Sequence, residues 1–513
     1  MLLSTPGTPP DTDELLERKQ LDQPLEKQKM KETSDSRHKT IIETSTERTE
    51  PMTFGQKRFW FLTHYVDDPT TFNIAYLGQL TGELRVADLV RATETAAQRH
   101  ESLRTRFFWS DDESKTPMQG ILSKNLITLE TVTIESEAQA IQELNDMRNH
   151  IWDFNNWVPL RMRLLSLSDT KHYILIGTHH ISMDGHSFPV LMLDIHEAYS
   201  KPGRRLPRFP DSSQARTFGA HQRLAYESGQ FKPAIEHYRA MFAAVDFTRP
   251  IELFPFSRTR VRPPLDRYGT HVARLHLDPA LTAKLKMLAR GRRATSFYAY
   301  LAALQGLLFR LLPADTTNQV CIGIADANRI DQRFMGSIGN FLNVLPLKFD
   351  RKRGQTFGSA IEAARERAHT ALQYSALPFD LLLDELKVAR SNAWAPVFQV
   401  FLNYRLVMRE HAEKQWVGTQ LGEERWHPAL SGYDVAVEIM EDPEGALLAV
   451  HVQKALYDQE GAELLVRSYA AILKEVARRG ERIGVDRLPR WDEGDVKKAV
   501  EIGKGMSETF FFL

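Results

Sequence analysis

The chain has 513 residues, in which 66 Lys and Arg balance 66 Asp and Glu, so the formal net charge is zero. This balance gives no electrostatic reason to expect nucleic acid or an anionic membrane as a partner. Hydrophobic residues make up 42% of the chain, enough for a large core, and the single cysteine excludes a disulfide framework, a cysteine-based zinc site and an iron–sulfur cluster. No apolar run approaches the roughly 20 residues that cross a bilayer, and the N-terminus lacks the pattern of a signal peptide. We therefore expect a soluble, cytosolic protein.

The first fifty residues differ in composition from the rest of the chain. The first aromatic residue is Phe54, and Thr, Ser, Pro, Lys and Glu dominate the segment before it. Such a segment has too little apolar surface to offset the entropy of ordering it. We predict a disordered lead or linker over residues 1–50, either a plain solvated tail or a docking element for a partner.

Helices and strands are predicted in alternation from Pro51 onward. Apolar residues at helical spacing predict helices over 86–100, 187–199, 281–290, 295–312 and 461–478. Short apolar or alternating runs predict strands over 103–108, 173–179, 320–325, 341–349, 435–440 and 447–453. The last two flank Asp442-Pro443-Glu444-Gly445, which predicts a hairpin. This pattern indicates a mixed-sheet α/β fold with α+β character, and the Pro- and Arg-rich stretch 201–216 is the best candidate for an interior boundary.

Two adjacent histidines end the strand predicted over 173–179. Residues His179 and His180 must point to opposite faces if the strand continues through them, so one faces the core and the other an opening. A histidine at a strand end, beside the turn at Asp184 and Gly185, suits general-base chemistry near neutral pH. Three alternatives stay open from the residues alone. The histidines are structural, His180 and Asp184 bind a metal with a further ligand, or Asp184 caps the helix that begins at Ser187.

The segment His179-His180-Ile-Ser-Met-Asp184-Gly185 resembles the HHxxxDG signature of condensation domains of nonribosomal peptide synthetases, which are related to chloramphenicol acetyltransferase. Five further segments resemble motifs of that family in the same order: residues 52–62, 99–107, 322–329, 339–343 and 377–380. A narrower likeness, carried by residues 68–73, 322–329 and 452–457, is to the condensation domains of fungal polyketide–peptide hybrid synthetases. The resemblance covers about residues 51–490.

The resemblance implies a V-shaped pseudo-dimer of two acyltransferase-like lobes, 51–228 and 229–490, around a central tunnel. Residues 491–513 resemble the start of a linker. His180 would be the catalytic residue in the tunnel, and His179 would be structural. The backbone N–H of Gly185 would lie near the tunnel and donate to an oxyanion.

The resemblance also implies that Asp184 is paired with an arginine across the lobes rather than acting as a base. Arg329 is the first choice for that partner and Arg104 the second. Asn340, Asn343 and Ser431 are candidates for polar tunnel lining, with turn and cap chemistry as the alternative. Cys321, next to Ile322 in an apolar strand, reads as a buried structural thiol.

The implied function is that of an acyltransferase that joins a carrier-bound polyketide thioester to an amine, an aminoacyl group on a peptidyl carrier. Two alternatives stay open. One is a free-standing protein that acts in trans to form an ester or to release or cyclise a polyketide chain, and the other is a template or scaffold without acyl transfer. The chain itself is expected to bind no cofactor and no metal, to work as a monomer, and to receive substrates on the phosphopantetheine of acyl carrier and peptidyl carrier partners.

Overall fold

The computed structural model describes residues 46–203, 206–406, 415–491 and 495. Most of the predicted lead and tail therefore lies outside the described residues. The lead boundary needs a correction, because residues 46–50 lie in strand β1 (Thr46–Pro51), an outer strand of a three-stranded sheet. Two threonines in this short segment favour the extended conformation, an effect that the overall composition of the lead conceals.

The N-terminal portion, defined here as residues 46–228, contains seven strands and five helices among its described residues. Its strands are β1, β2 (Asn73–Thr81), β3 (Thr105–Trp109), β4 (Pro117–Leu122), β5 (Leu129–Thr133), β6 (Leu160–Ser166) and β7 (Lys171–His179). Its helices are α1 (Phe54–Tyr65), α2 (Val86–Arg99), α3 (Glu137–Arg148), α4 (Ser187–Ser200) and α5 (Ala215–Glu227).

The C-terminal portion, defined as residues 229–491, contains the remaining described elements. Its strands are β8 (Thr270–Leu277), β9 (Gln319–Asp326), β10 (Asn343–Asp350), β11 (Val400–Leu406), β12 (Gln415–Trp416), β13 (Thr419–His427), β14 (Val435–Asp442) and β15 (Gly445–Gln453). Its helices are α6 (Lys232–Phe242), α7 (Pro279–Gly291), α8 (Ser296–Leu311), α9 (Phe357–Gln373), α10 (Phe379–Glu385) and α11 (Gln459–Arg479). None of the described helices combines the length and apolarity needed to cross a bilayer.

The first six-stranded sheet has the order β12-β13-β2-β7-β6-β5. Strand β13 runs antiparallel to β2, with His427 opposite Ala75 and Gln420 opposite Thr81. The C-terminal portion thus supplies two strands to the sheet of the N-terminal portion. The boundary predicted at 228/229 therefore does not separate the two sheets, because a long-range strand crosses it.

The second six-stranded sheet has the order β10-β9-β11-β14-β15-β8. Residues Val435, Val437 and Ile439 alternate with more exposed neighbours, as a half-covered strand requires, and they pack against the nearly wholly buried helix α8. The predicted hairpin is confirmed, since β14 pairs with β15 from Val435 opposite Val452 to Asp442 opposite Gly445. Gly445 adopts a φ of 138°, which favours glycine at this turn.

Two predicted strands begin later in the structure than the apolar pattern indicated. Residues Glu101–Arg104 form a short 3-10 turn, so the strand predicted from residue 103 starts at Thr105. The strand predicted from residue 341 starts at Asn343. In the second case the preceding loop makes contacts with the turn after β7, which are described below.

Candidate active site

The turn after β7 brings the predicted histidines and aspartate together. The strand is buried along most of its length and ends at His179. The Ser182 N–H then donates to the His179 carbonyl (3.0 Å), and the Ser187 N–H donates to the Asp184 carbonyl (3.1 Å). The Asp184 carboxylate also accepts hydrogen bonds from the Ser187 N–H (3.0 Å) and hydroxyl (2.8 Å). Asp184 therefore bonds to the first residue of α4, although the N-cap position itself is His186, and its remaining bonds go elsewhere.

His179 is fully buried and held by hydrogen bonds on both ring nitrogens. Its Nδ1 accepts from the Ile181 N–H (3.2 Å), so Nε2 carries the proton and donates to the Thr63 hydroxyl (3.2 Å). The Thr63 hydroxyl in turn donates to the Phe59 carbonyl (2.7 Å). Burial lowers the pKa of His179 to about 3, with a smaller contribution from the neighbouring His180. This arrangement is that of a neutral, structural histidine.

His180 is half-buried, and its backbone is fixed on both sides. Its N–H donates to the Phe72 carbonyl (2.9 Å), and its carbonyl accepts from Nδ2 of Asn340 in the C-terminal portion (2.9 Å). The ring lies parallel to that of Phe59, with the centroids 4.4 Å apart and the planes inclined by 8°. Burial lowers the pKa of His180, so the ring is neutral at neutral pH and able to accept a proton.

Asp184 and Arg329 form a bidentate ion pair in which both side chains are almost completely buried. Arg329 Nη1 donates to Oδ2 at 2.8 Å and Nη2 to Oδ1 at 2.9 Å. The Phe341 N–H donates to the same carboxylate (3.0 Å). Burial alone would raise the pKa of Asp184, but the Arg329 charge and these hydrogen bonds outweigh it and lower the pKa. Asp184 is therefore an ionised structural group and not a base at neutral pH.

Arg104, the second-choice partner, does not reach Asp184. Its guanidinium pairs instead with Glu47 (2.9 Å) of strand β1 and donates to the Leu122 carbonyl. The motif that contains Arg104 lies in the short turn before β3, which directs the side chain towards the three-stranded sheet. Arg104 thus ties β1 to the domain.

The loop that precedes β10 docks on the turn after β7. The Ser187 hydroxyl, which shares its single proton between the Asp184 carboxylate and the Gly339 carbonyl, has its oxygen 2.8 Å from that carbonyl oxygen, and the Gly339 N–H donates to the hydroxyl oxygen (3.0 Å). The Asp184 N–H also donates to the Gly339 carbonyl (3.2 Å), and the Arg329 guanidinium lies over the Phe341 ring at 4.3 Å. The site is therefore assembled from both portions of the chain.

The three polar residues proposed to line a tunnel have different surroundings. Asn343 uses its whole amide on backbone groups: Oδ1 accepts from Val344 and Phe379, and Nδ2 donates to the carbonyls of Ser375 and Leu377. This corrects its assignment as tunnel lining, because it is saturated in holding the start of α10. Asn340 is buried and contacts the His180 backbone, as described above. Ser431 is half-buried, and its carbonyl accepts from Gln453 Nε2.

Comparison of the chain with known protein families identifies the family to which it belongs. The chain matches the family model of the condensation domain over residues 46–483. It belongs to the condensation-domain family. Condensation domains are acyltransferases, so the half-buried neutral His180 lies in a domain whose chemistry is acyl transfer.

Sequence relatives of this condensation domain are fungal hybrid synthetases. It is 64% identical over 493 residues to the hybrid PKS-NRPS synthetase tasS of Hapsidospora irregularis, a match that covers 96% of this chain and 12% of that protein. It is 44% identical over 457 residues to the equisetin synthetase eqxS of Fusarium heterosporum, covering 88% of this chain and 11% of that protein. The chain therefore spans only a small part of the length of these relatives.

Solved structures share the fold. The condensation domain of the Monacolin K polyketide synthase MokA matches with a TM-score of 0.77 and 23% identity, covering 86% of this chain and 100% of that one. The first condensation domain of the calcium-dependent antibiotic synthetase matches with a TM-score of 0.71 and 18% identity, covering 86% and 99%. These likenesses confirm the mixed α/β fold, in which two six-stranded sheets are present.

Sequence reasoning assigned no role to Arg58 and Phe59, which α1 places beside His180 in this condensation domain. Arg58 Nη2 donates to the Tyr433 hydroxyl (3.3 Å), and its Nε lies 4.0 Å from a carboxylate oxygen of Asp380. The Arg58 charge adds to the effect of burial in lowering the pKa of His180. The sequence feature that could have indicated these two residues is the motif at 52–62, in which Arg58 has aromatic neighbours.

Gly185 faces open space. It is exposed, its φ lies outside the positive range, and no atom lies within 4 Å of the position that a Cβ would occupy. The backbone therefore does not need glycine at this position for conformational reasons. The missing side chain leaves room next to the turn that carries His180.

Two other site interpretations concern metal ions and the thiol. In the described ranges no three His, Cys, Asp or Glu side chains lie close enough together to hold a metal ion. Cys321 packs in β9 beside the cluster that contains Phe398, and burial raises the pKa of its thiol well above the ordinary value. A thiol in that state is a weak nucleophile.

Proposed function

We propose that this condensation domain joins a polyketide acyl group to an amine. The donor would be a thioester on the phosphopantetheine of an acyl carrier, and the acceptor an aminoacyl thioester on a peptidyl carrier. The observation that carries the proposal is the state of His180, a neutral and half-buried imidazole held by groups from both portions of the chain. The 64% identity to a segment of a hybrid PKS-NRPS synthetase supports this choice of substrates.

The proposed reaction balances without a cofactor. The amine nitrogen attacks the thioester carbonyl and forms the C–N bond, and the C–S bond breaks to release the thiol of the donor carrier. His180 takes a proton from the attacking nitrogen and delivers it to the departing sulfur, a role worth about 10²–10⁴-fold in rate. An α-amino group has a pKa of about 8, so positioning of a largely prepared nucleophile supplies much of the remaining acceleration.

The other residues of the turn support His180 in this proposal. Asp184 cannot take the proton, because Arg329 and three further hydrogen bonds to its carboxylate keep it ionised and buried. The backbone N–H of Gly185, which lies in an exposed part of the turn, would donate to the oxyanion that forms on the thioester carbonyl. Partner carriers would deliver both thioesters to this site.

The test is a product assay with small soluble thioesters. The purified chain is mixed with an acyl thioester of N-acetylcysteamine and an aminoacyl thioester, and the products are identified by mass spectrometry. The parent is expected to form the amide, and His180→Ala to form none while melting like the parent. His276→Ala, at an exposed histidine of β8, is the matched control and should keep full activity.

Each alternative function predicts a different product in this assay. An ester formed only with a hydroxyl acceptor would replace the amide proposal with ester formation or release. A cyclised donor without any acceptor would indicate chain release by cyclisation. Amide formation that is equal in the parent and His180→Ala would overturn the proposed role of His180.

A further inference from the structure

The imidazole of His180 lacks the hydrogen bond that normally fixes a catalytic histidine. Its Nδ1 is covered and has no hydrogen-bond partner among the described residues. In catalytic triads that position is bonded to a carboxylate, which sets the tautomer and the ring orientation. Here the carboxylate of the same turn, Asp184, is committed to Arg329 and Phe341. Apart from a contact with the backbone of His180 itself, a further group must therefore keep the ring from rotating about its side-chain bonds.

The Phe59 ring is the group placed to do so. It covers the face of the His180 ring at a centroid distance of 4.4 Å with an interplanar angle of 8°. Phe59 is itself buried, with 8% of its surface exposed, and its own ring is packed edge-to-face against Phe72 at 5.4 Å. A face contact of this extent restricts the imidazole to one plane without engaging either ring nitrogen.

Helix α1 holds Phe59 rigidly. Thr53 caps the helix: its hydroxyl accepts from the Gln56 N–H (3.2 Å), and its own N–H donates to Gln56 Oε1 (2.8 Å). One turn further on, the Phe59 carbonyl accepts from Thr63, which is bonded to His179. The same helix therefore contacts both histidines, one through a hydrogen bond and the other through an aromatic face.

We propose that Phe59 is a positioning residue that orients the catalytic imidazole of His180 by stacking. This inference rests on the proposed function of His180 as the proton-transferring group. Stacking fixes the plane of the ring without a charged partner, whereas a carboxylate on Nδ1 would raise the pKa of the ring. The arrangement keeps His180 neutral, which suits a reaction that needs a free base and no imidazolium in the resting state.

The test replaces the aromatic ring of Phe59 with an aliphatic side chain that is also apolar. Phe59→Leu should lower kcat by about 10- to 100-fold and change KM for the acyl thioester by less than about threefold, because the imidazole loses its orientation and not its substrate contacts. The acid limb of the pH profile of kcat/KM should move to higher pH, since uncovering the ring relieves the burial that lowers the pKa of His180. Phe59→Tyr and Phe59→Trp retain a ring and should restore most of kcat.

Phe107→Leu is the matched control. Phe107 is a buried phenylalanine of the same apolar cluster and has no recorded ring contact with His180. It should show a similar drop in melting temperature with parental kcat and an unshifted pH profile. If Phe59→Leu fails to fold, Phe59→Met takes its place, and titration of the His180 ring by NMR in Phe59→Met and the parent measures the same pKa effect directly, with Phe59→Tyr expected to titrate like the parent.

The outcomes separate this inference from the proposed function. Parental kcat and pH profile in a folded Phe59→Leu, with His180→Ala inactive, would overturn the stacking role alone. Equal kcat losses in Phe59→Leu and Phe107→Leu would also overturn it, because the effect would then be one of core packing. Activity in His180→Ala would instead remove the proposed function on which the inference rests.

Discussion

Asp184 and Arg329 are 145 residues apart in the sequence, and two hydrogen bonds of 2.8 and 2.9 Å join them in the interior. One belongs to the turn after β7 and the other to the loop after β9. The pair therefore fastens the N-terminal portion to the C-terminal portion at the site of His180. Because both side chains are almost fully buried, removal of either charge leaves the other without compensation.

Asp184→Asn is expected to destabilise the domain strongly. Breaking a buried ion pair by changing one partner costs about 3–5 kcal/mol, so the variant should unfold at clearly lower temperature and denaturant concentration. Asp331→Asn is the control, since its ion pair with Arg333 is exposed and screened by solvent, so its loss should hardly change the stability. An Asp184→Asn variant that melts like the parent but is inactive would contradict the structural role and indicate a chemical one.

The buried neutral state of His179 predicts that stability falls with acid. Unfolded His179 binds a proton near its ordinary pKa of 6.5, whereas the folded protein resists protonation until about pH 3. The unfolded state therefore holds more protons between these values, and the free energy of unfolding decreases as the pH falls, by up to about 1.4 kcal/mol per pH unit from this residue. Denaturant titrations at pH 5, 6 and 7 measure this slope.

Substitution of His179 should weaken the dependence of the free energy of unfolding on pH. The reduction should correspond to about one fewer proton taken up on unfolding. His179→Gln removes the titrating group and keeps a side chain that both donates and accepts hydrogen bonds. His276→Gln, at an exposed position, should leave the slope unchanged. Identical slopes in the parent and His179→Gln would mean that His179 is not the group whose protonation opposes folding.

Gly185→Val should fold and lose activity. No atom lies within 4 Å of the new Cβ, and the backbone needs no glycine conformation, so we expect a change in stability within about 0.5 kcal/mol. The side chain would instead fill the open space beside the turn and displace the reacting groups, for a rate loss of roughly tenfold or more. Gly291→Val also enters open space, at the end of α7, and should leave acyl transfer unchanged. Full activity in Gly185→Val would exclude this space from the reaction.

Truncation at the N-terminus tests whether strand β1 contributes to the stability of the domain. A chain that begins at residue 46 keeps β1, whereas one that begins at residue 52 loses it together with the Glu47–Arg104 ion pair. The shorter chain should therefore melt at lower temperature. Equal melting temperatures would show that β1 contributes no stability to the three-stranded sheet.

Regular patterns made five of the eleven described α-helices predictable from the sequence. Helix α2 was predicted to within one residue because its apolar positions repeat at helical spacing, and the hairpin of β14 and β15 was predicted from alternation around a Pro-Glu-Gly turn. The pairing of Asp184 with Arg329 was inferred from a family resemblance together with the rule that a buried carboxylate needs a cation. These features depend on local pattern or on a strong electrostatic requirement.

Other features depend on contacts that no local pattern contains. Asn343 was considered for tunnel lining because an amide in a loop motif has several uses, and only the structure shows the four backbone groups that saturate it. The stacking of Phe59 on His180 joins α1 to a turn more than a hundred residues later, and a phenylalanine in an apolar helix reads equally well as core. The crossing strand β13 was hidden for the same reason, since its charged, exposed residues carry no core signal.

Strand β13 also limits how much of the domain can fold while the chain is still being synthesised. The Tyr76 hydroxyl of β2 donates to Glu424 of β13 (2.6 Å) across 348 residues of sequence. Until the ribosome has released β13, strand β2 has an unpaired edge that is open to aberrant association with other nascent chains. The N-terminal portion therefore cannot finish folding as it emerges, and its maturation waits for translation of the C-terminal portion.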